Sequence, residues 1–509
     1  MDRVAFAFIV LSVALGGSVV PAAADTVRVH VESGTLAGVS DQGIAVFKGI
    51  PYAAPPVGDL RWRAPRPAVA WSGERAATDY GYSCPQAASP RYVLAESRAA
   101  TMNEDCLTLN IWAPLVHPQP LPIIIWVHGG GNTSGTGSQL FYDGTSFARD
   151  GIVLVSFNYR LGALGFFSHP ALTADAAGDP AGNFGLLDQV AALRWVHANA
   201  AAFGGDPANI TLAGESAGGE DIVALATVPA ARELFARAIV ESAGGLHGLG
   251  WPPLARAEER GAKIASGLGL PGARATAAQL RGLPAATLAR IGDEELDGPI
   301  VDGRLISAAP TRVLAAGLAL PLLIGTNDDE GSLLTGDAKP EDVLSLPAAD
   351  LAMLRARYTT AEASTDAMTD ARVARRLFRD AFFAAPARWV AGRVAQTGTP
   401  AYLYRFDYVL SLLRGLRLGA GHGSEIPFVF EVHTTAFISE TDRQVGAAVH
   451  ACWASFARTG TPSCGSTPWP LYTRKNERRF VFTKAGATQS RPVEDAEMLD
   501  MLDHDLALP

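Results

Sequence analysis

Residues 210–219 read Ile-Thr-Leu-Ala-Gly-Glu-Ser-Ala-Gly-Gly, and the rest of the chain is organised around them. The apolar residues at the start of this stretch predict a buried strand, and Ile-Val-Ala-Leu-Ala at 222–226 can begin a helix. Gly214 and Gly218 flank Ser216 in the pattern G-x-S-x-G, and glycines there remove the Cβ clashes of a sharp strand-to-helix turn. Such a turn exposes the hydroxyl of Ser216 at the top of the sheet, which makes this serine a candidate nucleophile.

The composition is that of a folded protein without a nucleic-acid partner. Of the 509 residues, 48% are hydrophobic and 18% are charged, which is typical of globular chains and not of disordered ones. The net charge is −9, and no basic patch is present that would bind phosphates. The densest basic stretch, 372–379, has the pattern of a solvated helix face. No internal repeat or linker divides the chain, so we expect a single domain over residues 25–509.

The N-terminus has the pattern of a secretory signal peptide over residues 1–24. Arg3 precedes an apolar run at 4–15, and small residues follow up to the alanine triplet that ends at Ala24. We therefore expect cleavage after Ala24 and a secreted or periplasmic protein. A membrane anchor is the alternative, but the run is short for a bilayer span. No other stretch is long and apolar enough to cross a bilayer, so no stable membrane insertion is expected.

The cysteine count fits an exported protein. The four cysteines are Cys84, Cys106, Cys452 and Cys464. An even number in an oxidising compartment suggests two disulfides, and the sequence alone allows three connectivities. Pairing neighbours along the chain closes the two shortest loops. The alternative is a set of buried free thiols.

Strand and helix patterns alternate between residues 120 and 250. The strongly apolar runs at 121–127 and 152–157 predict strands that are buried on both faces. Between 186 and 202 the apolar period changes to that of a helix, which the glycine pair at 204–205 ends. This alternation predicts an α/β fold with a mostly parallel sheet and helices on both faces.

Weaker patterns extend this architecture toward both ends of the chain. The alternating segment 27–48 predicts short antiparallel strands. Two segments rich in Ala, Leu and Arg, 255–289 and 340–397, predict helices that lie over the ends of the strands. Later apolar runs predict further sheet strands at 238–240, 320–325 and 401–408.

Chain order limits the histidines that can act as a base for Ser216. A serine hydroxyl needs a base to remove its proton, and a third group must hold the tautomer of that base. After a strand-turn-helix nucleophile, the acid and then the histidine follow along the chain. The histidines that come late enough are His422, His433, His450 and His504. His422 lies in a glycine-rich loop that can bring an imidazole into a site, whereas His450 lies in a helical pattern and is interpreted as structural.

The candidates for the acid and for the oxyanion donors follow two predicted strands, at the edge where open α/β sheets place their sites. Asp328, Asp329 and Glu330 follow the strand at 320–325, and the residues alone do not choose among them. His-Gly-Gly-Gly at 128–131 follows an earlier strand, and glycine amides can approach a substrate closely. The alternative for a glycine triplet is a flexible turn.

Several longer segments are similar to one family. They are Phe-Lys-Gly-Ile-Pro-Tyr-Ala at 47–53, Leu-Arg-Trp at 60–62, Glu-Asp-Cys-Leu-Thr-Leu-Asn at 104–110, Asn-Tyr-Arg at 158–160, Gly-Leu-Leu-Asp-Gln at 185–189 and Phe-Gly-Gly-Asp-Pro at 203–207. With the pattern around Ser216, they make the sequence resemble the type-B carboxylesterases and cholinesterases of the α/β-hydrolase fold across nearly the whole mature chain.

The resemblance implies a fold and a set of site residues. The fold is an α/β-hydrolase fold with a mostly parallel central sheet, helices on both faces and helical insertions over the active site. The acid is Glu330, since the family's segment ends in Asp-Glu-Gly, and His422 is supported as the base of Ser216. The implied oxyanion donors are the backbone N–H groups of Gly130, Gly131 and Ala217.

The resemblance also implies structural partners. The implied pairs are Cys84 with Cys106, Arg61 with Glu104, and Arg160 with Asp188. Ser242 matches a serine that lies near the catalytic acid in the family. A bridge between Cys452 and Cys464 has no such support and rests on the cysteine count alone.

Taken together, the resemblance implies a secreted serine carboxylesterase that hydrolyses small-molecule esters through an acyl-enzyme intermediate. No His-Glu-x-x-His pattern or Cys/His cluster is present in the sequence, so neither a metal ion nor an organic cofactor is expected. A monomer is favoured. The alternatives are a non-catalytic binding protein, which the family includes, and, among enzymes, an amidase or a lipase.

Two places in the sequence depart from the family pattern. The residue after the third glycine is commonly aromatic, and here it is Asn132. Glu220 and Asp221 follow the candidate nucleophile where small residues are usual. One interpretation places both carboxylates in the first turn of the following helix, where they complement its N-terminus. The other has one of them facing the acyl or alcohol pocket, where it would disfavour anionic esters.

Overall fold

The structure, a computed structural model, describes residues 25–87, 101–243, 251–292, 296, 298–334, 338–344, 347–360, 370–432, 439–493 and 496–505. The predicted signal peptide, residues 1–24, lies outside the described residues. The first strand begins at Asp25, directly after the predicted cleavage position.

In the described part of the chain, thirteen strands form one sheet. Their bounds are β1 (Asp25–Val31), β2 (Gly34–Asp41), β3 (Ile44–Pro51), β4 (Glu74–Ala76), β5 (Thr108–Pro114), β6 (Leu121–Val127), β7 (Val153–Phe157), β8 (Gly205–Glu215), β9 (Arg237–Glu241), β10 (Leu322–Asn327), β11 (Ala401–Phe406), β12 (Arg478–Phe482) and β13 (Thr488–Pro492). The spatial order is β1-β2-β3-β5-β7-β6-β8-β9-β10-β11-β12-β13, and β4 pairs with β2 outside this path.

The centre of the sheet is parallel and its edges are antiparallel. Strands β7, β6, β8, β9, β10, β11 and β12 run parallel to one another. Ile125 of β6 lies opposite Val155 of β7 and Leu212 of β8. Strands β1, β2 and β3 pair antiparallel in succession, as the alternating segment 27–48 predicts. β5 pairs antiparallel with β3, and β13 closes the other edge antiparallel to β12. The predicted mostly parallel sheet is confirmed.

The helices of the described residues lie around this sheet. Their bounds are α1 (Thr145–Arg149), α2 (Gly162–Phe166), α3 (Pro170–Asp175), α4 (Phe184–Asn199), α5 (Ala217–Leu225), α6 (Pro229–Arg232), α7 (Leu254–Gly267), α8 (Ala277–Arg281), α9 (Ala285–Leu288), α10 (Pro310–Leu314), α11 (Pro340–Val343), α12 (Ala348–Thr360), α13 (Asp370–Arg379), α14 (Ala385–Ala395), α15 (Ile426–Val429), α16 (Glu440–Thr459) and α17 (Ala496–Asp505). A π-helical turn, Asp380–Ala384, joins α13 to α14. Short 3-10 helices occupy Gly58–Leu60, Leu140–Tyr142, Ala200–Phe203, Gly272–Arg274, Glu330–Leu333 and Ser411–Leu413.

The predicted helical segment 255–289 is divided into α7, α8 and α9. Gly269 adopts a φ of +81° just beyond α7, a left-handed conformation that ends a helix. Pro284 precedes α9 in an extended conformation, as expected for a residue that cannot continue a helix. In the described part of the chain, no helix combines the length and the apolar character that a bilayer span requires.

Side chains alternate along β6 between the two faces of the sheet, and each face has its own core. Ile125 belongs to the core that contains Ile222 of α5. Trp126 points to the opposite side and belongs to the core that contains Trp453 of α16. Helices therefore cover both faces of the central strands, which explains why the run at 121–127 is continuously apolar.

Some elements differ from the sequence prediction. The strand predicted at 210–213 extends to Glu215, and α5 begins at Ala217 because the tight turn needs only Ser216 between strand and helix. Strands β12 and β13 were not predicted. β12 begins with two arginines and β13 reads Thr-Gln-Ser-Arg-Pro, so neither has a strong apolar pattern.

The prediction that 372–379 is a solvated helix face is wrong. These residues lie in α13, but Nε of Arg375 donates to Oδ1 of Asp329 at 3.1 Å. Nε of Arg379 donates to Oδ1 of Asp380 at 2.7 Å, and the Arg379 side chain is only 13% exposed. Arginines tolerate such burial because their guanidinium groups meet carboxylates in a fixed geometry.

Two disulfides are present in the described residues. Cys84 is bonded to Cys106, with Cα atoms 5.1 Å apart, and Cys452 is bonded to Cys464, with Cα atoms 4.8 Å apart. All four cysteines are described, and none of them is free. The pairing is therefore between neighbours along the chain.

The two expected ion pairs are also present. Nε of Arg61 donates to Oε2 of Glu104 at 2.7 Å. Nε and Nη2 of Arg160 donate to the two carboxylate oxygens of Asp188, both at 2.7 Å. The Arg160 side chain is 4% exposed and that of Asp188 is fully buried, so this pair fastens the segment that follows β7 to α4 inside the protein.

Candidate active site

The turn between β8 and α5 presents Ser216. This residue has φ +56° and ψ −127°, a strained conformation that L-residues rarely adopt outside functional turns. Its N–H donates to the carbonyl oxygen of Glu241 on β9 at 2.9 Å, which fixes the turn to the sheet. A Cβ atom at Gly214 would lie 2.6 Å from the carbonyl oxygen of Val127, and one at Gly218 would overlap the same oxygen. Only glycine fits at both positions.

Glu330 is the carboxylate that meets the imidazole of His422. Oε2 of Glu330 lies 2.6 Å from Nδ1 of His422. Oε1 accepts hydrogen bonds from the hydroxyl of Ser242 and from the N–H of Asn327, both at 2.6 Å. Glu330 is fully buried, so these bonds hold its carboxylate in one orientation. A carboxylate placed in this way keeps a proton on Nδ1 and leaves Nε2 able to act as a base.

The two neighbouring carboxylates point elsewhere. Asp328 lies 3.0 Å from Nζ of Lys484, and Asp329 binds the guanidinium group of Arg375. Cations therefore hold both aspartates away from the imidazole. The sequence pattern alone did not choose among the three acidic residues. In the structure each has its own partner, and only Glu330 contacts His422.

The loop that carries His422 is fastened to the loop after β10. The N–H of His422 donates to the hydroxyl of Ser332 at 2.9 Å, and the N–H of Asp329 donates to the carbonyl oxygen of Ala420 at 2.8 Å. The ring of Phe383 packs edge-on against the imidazole, with centroids 5.3 Å apart. These contacts position the base, and none of them was predicted, because they join segments that are distant in sequence.

A second carboxylate, that of Glu215, lies against the other imidazole nitrogen. Oε1 of Glu215 is 3.1 Å from Nε2 of His422. This oxygen has no hydrogen-bond partner among the described residues, so its contact with Nε2 is an electrostatic one without hydrogen-bond geometry. The hydroxyl of Ser216 likewise makes no hydrogen bond to a described residue. Sequence reasoning missed Glu215, although it is the residue inside the G-x-S-x-G pattern that precedes the serine.

The charges around His422 favour its protonated form. Burial opposes an imidazolium ion, but Glu215 and Glu330 outweigh it and raise the pKa of His422 to about 9. Burial in turn raises the pKa of Glu215 to about 7, against the attraction of His422. The cluster therefore holds a proton at neutral pH. Loss of this proton is what frees Nε2 to act as a base.

The glycine loop after β6 has its amides available for an oxyanion. Gly130 and Gly131 adopt φ values of +116° and +64°, which L side chains disfavour. The carbonyl oxygen of Gly130 accepts hydrogen bonds from the N–H groups of Thr133 and Ser134 at 3.1 and 3.0 Å, which closes the loop into a turn. In the described part of the chain, the N–H groups of Gly130, Gly131 and Ala217 have no hydrogen-bond partner. These three N–H groups are thus free to donate.

Two other histidines, His128 and His450, have structural surroundings of their own. His128 is fully buried and stacks on Tyr159 with ring centroids 4.5 Å apart, and burial lowers the pKa of His128 to about 4. His450 is buried on α16, with Nδ1 2.8 Å from a backbone carbonyl oxygen, which agrees with a structural role. His504 lies in α17, and His433 lies outside the described residues. Among the residues that the structure describes, no group of three or more His, Cys, Asp or Glu side chains is arranged to hold a metal ion.

The residues that depart from the family pattern lie in contact with one another. Nδ2 of Asn132 donates to Oδ1 of Asp221 at 3.0 Å, and Asp221 is fully buried. The hypothesis that Asp221 faces a substrate pocket is therefore wrong. Glu220 lies in the first turn of α5 and is partly exposed, which agrees with the helix N-terminus interpretation for that residue. Burial and the neighbouring Asp221 raise the pKa of Glu220 well above its usual value.

Sequence comparisons identify related proteins over almost the whole chain. A family model described as the carboxylesterase family matches residues 25–498. A fumonisin B1 esterase from Sphingopyxis macrogoltabida is 37% identical over 517 residues, which cover 95% of this chain and 92% of that protein. A para-nitrobenzyl esterase from Bacillus subtilis (strain 168) is 35% identical over 495 residues, which cover 91% of this chain and 96% of that protein.

Solved structures share the fold. A structure of a PNB esterase superposes with a TM-score of 0.78 at 32% identity and covers 93% of this chain and 99% of its own. A carboxylesterase from Geobacillus stearothermophilus superposes with a TM-score of 0.79 at 33% identity, with the same coverage of 93% and 99%. The α/β-hydrolase fold that the sequence predicts is confirmed.

Proposed function

The chain belongs to the carboxylesterase family of carboxylic ester hydrolases, and we propose that it cleaves esters through a triad of Ser216, His422 and Glu330. The observation that carries the proposal is the 2.6 Å contact between Nδ1 of His422 and the buried carboxylate of Glu330, beside a serine at a strained strand-to-helix turn. This arrangement suits proton transfer from a serine hydroxyl to an oriented imidazole.

In the proposed acylation step, Oγ of Ser216 attacks the carbonyl carbon of the ester and Nε2 of His422 takes the hydroxyl proton. The carbonyl oxygen becomes negative, and the free N–H groups of Gly130, Gly131 and Ala217 stabilise it. His422 then gives the proton to the leaving alcohol oxygen as the carbon–oxygen bond breaks. The products of this step are a free alcohol and an acyl group on Ser216.

In the proposed deacylation step, a water molecule attacks the acyl carbon and gives a proton to Nε2 of His422. The same oxyanion donors act a second time. His422 returns the proton to Oγ of Ser216 as the carboxylic acid leaves. Apart from this water molecule, the proposed cycle uses only the side chains and amides of the site.

The imidazole has to exchange one contact before it can act. In the resting structure Nε2 of His422 lies 3.1 Å from Glu215, and Ser216 makes no hydrogen bond to a described residue. A turn of the ring toward Oγ of Ser216 on substrate binding would complete the triad while the contact to Glu330 is kept. Catalytic hydrogen bonds of this kind are often long in the unbound state and tighten in the complex with substrate.

Small-molecule carboxylic esters are the proposed substrates. The names of the relatives support this class, since one is a fumonisin B1 esterase and another is a para-nitrobenzyl esterase. Burial and the neighbouring Asp221 raise the pKa of the Glu220 carboxyl well above its usual value, which favours its neutral form.

Export and a single mature domain over residues 25–509 are further parts of the proposal. The predicted signal peptide ends at Ala24, and both β1 and the family match begin at Asp25. Two disulfides fit an oxidising compartment. One sheet runs from β1 to β13, which supports one domain. N-terminal sequencing of the protein recovered outside the cytoplasm should begin at Asp25.

The function is tested by turnover of a panel of p-nitrophenyl and alkyl esters. The parent should hydrolyse part of the panel, and Ser216→Ala should hydrolyse none of it although it folds. Ser266→Ala, an exposed serine on α7, is the matched control and should behave as the parent does. Equal turnover by the parent and Ser216→Ala would contradict the proposal.

A further inference from the structure

Three buried side chains form a hydrogen-bonded group beside the nucleophile, termed the clamp: Asn132, Gln189 and Asp221. Nδ2 of Asn132 donates to Oδ1 of Asp221 at 3.0 Å, and Nε2 of Gln189 donates to Oδ2 at 2.5 Å. The exposed fractions of the three residues are 4%, 0% and 0%. Each oxygen of the carboxylate therefore has an amide donor, and water is excluded from both contacts.

The clamp joins the two elements that carry the proposed oxyanion donors. Asn132 directly follows Gly131, so its side chain acts on the glycine loop. Asp221 lies one helical turn beyond Ala217, so its side chain belongs to the nucleophile helix α5. The donors at Gly130 and Gly131 stand on the loop, and the donor at Ala217 stands on the helix. The hydrogen bond between Asn132 and Asp221 is therefore a direct link between the two halves of the oxyanion hole.

The backbone of Asn132 needs such a link. Asn132 has a φ of +59°, which is a left-handed conformation. Asparagine tolerates this conformation better than most residues, but it remains unfavourable unless other contacts hold it. Its carbonyl oxygen accepts a hydrogen bond from the N–H of Gly162 at 2.7 Å. Backbone and side-chain bonds thus hold the residue from two sides. A change of its conformation would turn the adjoining amide of Gly131 away from the nucleophile.

The clamp is an energetically unfavourable way to fill this space. Burial raises the pKa of Asp221 to about 7, against the hydrogen bonds from Gln189 and Asn132. Among the described residues, no cation pairs with this carboxylate. Apolar side chains of similar volume would pack there without the desolvation penalty. A buried polar group of this kind is best explained by a requirement for one defined geometry.

From this geometry we propose that Asp221 is a positioning residue that, through Asn132, holds the glycine loop at the distance from α5 that the tetrahedral oxyanion requires. The inference rests on the proposed function, since acyl transfer is the reaction that needs this oxyanion hole. Among the described residues, the side chain of Asp221 binds Asn132 and Gln189 and makes no hydrogen bond or ion pair to Ser216, His422 or Glu330. It acts on the rate through the placement of the Gly130 and Gly131 amides.

The first test is Asp221→Leu, which keeps the branched shape of the side chain, places methyl groups where the oxygens were and removes both hydrogen-bond acceptors. We expect kcat per active site to fall about 10- to 100-fold, with KM changed by less than about threefold, because misplaced donors weaken binding of the transition state more than that of the substrate. Active sites are counted by fluorophosphonate titration of Ser216. Inhibition by a trifluoromethyl ketone, which places an oxyanion in the same hole, should weaken by a similar factor. A merely structural role would lower the number of titratable sites and leave kcat per site unchanged.

The matched control is Asp221→Asn, which removes the charge and keeps a hydrogen-bonding group. The oxygen of the new amide can accept from Gln189, and its NH2 group can donate to Oδ1 of Asn132 after the Asn132 amide flips. That flip breaks no other bond, because Oδ1 of Asn132 has no partner among the described residues. We expect this variant to keep most of the parent kcat. A loss as large as that of Asp221→Leu would mean that charge and not positioning matters, and would overturn the proposal.

A reciprocal pair of substitutions tests the link between Asn132 and Asp221 independently of Asp221→Leu. Asn132→Asp alone places two carboxylates together in a buried site, so we expect its kcat per titrated site to fall more than that of any other variant. Addition of Asp221→Asn restores one donor and one acceptor with their positions exchanged. The kcat per titrated site of the double variant should be at least about tenfold higher than that of Asn132→Asp, because directly coupled residues give non-additive effects.

The outcomes separate this inference from the function on which it rests. Ser216-dependent turnover in the parent, with kcat per site unchanged in Asp221→Leu, would overturn the inference and leave the proposed function intact. A double variant no better than Asn132→Asp would overturn it too, even where Asp221→Leu fails to fold. A parent without Ser216-dependent turnover would overturn the proposed function and the inference with it.

Discussion

Nε2 of His422 lies 3.1 Å from Oε1 of Glu215, the residue that immediately precedes the proposed nucleophile Ser216 in the chain. Nδ1 of the same ring lies 2.6 Å from Glu330, so the imidazole is held between two buried carboxylates. Burial opposes its protonation, but the two carboxylates outweigh this and raise the pKa of His422 to about 9. The base of the proposed triad therefore rests in its protonated form and has to lose that proton before it can act.

The pH profile should report this proton. We expect kcat/KM to rise with pH as His422 becomes neutral, because only the neutral ring can accept the serine proton. Glu215→Gln removes one negative charge that favours the protonated ring, so the acidic limb should move to lower pH, toward the reference histidine pKa of about 6.5. Profiles for a neutral ester, measured on parent and variant, check this. A limb that stays in place or moves to higher pH would contradict the role of Glu215.

Glu220→Gln is the matched control for that experiment. Glu220 lies only five residues beyond Glu215, but the carboxylates that raise the pKa of His422 are Glu215, Glu330 and Glu425. Its replacement should leave the acidic limb where it is in the parent. A shift equal to that of Glu215→Gln would mean that the limb responds to any change near α5.

Loss of the acid should be severe but incomplete. Glu330→Gln places an amide against Nδ1 of His422 and disturbs the tautomer, so kcat should fall about 10³- to 10⁴-fold while some turnover remains from the oxyanion hole. Ser242→Ala removes one of the two donors to Oε1 and should have a much smaller effect, because the N–H of Asn327 still holds that oxygen. Steady-state kinetics on one ester measure both. Near-parent activity in Glu330→Gln would exclude this residue as the acid.

The mature protein should contain no free thiol. Peptide mapping without reduction should recover Cys84 linked to Cys106 and Cys452 linked to Cys464. Replacement of both Cys452 and Cys464 by alanine should lower the thermal midpoint, since closing a loop of this length contributes about 3 kcal/mol in the chain-entropy model. Recovery of either pair as alkylated peptides would refute the corresponding bridge.

The buried ion pair between Arg160 and Asp188 should be sensitive to loss of one partner. Asp188→Asn leaves the guanidinium charge buried without compensation, which should lower the free energy of unfolding by about 3–5 kcal/mol. Denaturation by urea measures the change. Glu74→Gln breaks the exposed pair with Arg28 and serves as the control, with little expected change. Equal effects in the two variants would mean that burial does not decide the contribution of a pair.

Strong local patterns predicted much of the fold. The apolar run at 121–127 is β6 with the same bounds, because a strand buried on both faces needs apolar side chains at every position. The helix predicted from 186 is part of α4, and Gly204 follows its last 3-10 turn at a φ of +75°. The glycines around Ser216 were informative for the same reason, since only glycine fits against the carbonyl oxygen of Val127.

Contacts between distant segments had no local pattern to predict them. Arg379 reads as a solvated side chain in sequence, but the fold places its Nη1 atom 3.7 Å from Oδ1 of Asp328 and leaves only 13% of the side chain exposed. Asn132 and Asp221 are 89 residues apart, and their hydrogen bond follows from the packing of the glycine loop on α5. The contact between His422 and Glu215 arises in the same way. Residue type and spacing in the sequence therefore do not predict which side chains these residues contact.

Trapping the acyl group during turnover tests the proposed mechanism most directly. The parent is mixed with a p-nitrophenyl ester, quenched rapidly in acid, digested and analysed by peptide mass spectrometry. We expect a burst of p-nitrophenol and the acyl group on the peptide that contains Ser216, and we expect neither in Ser216→Ala. An acyl group on another peptide, or steady turnover that persists in Ser216→Ala, would contradict the proposed mechanism.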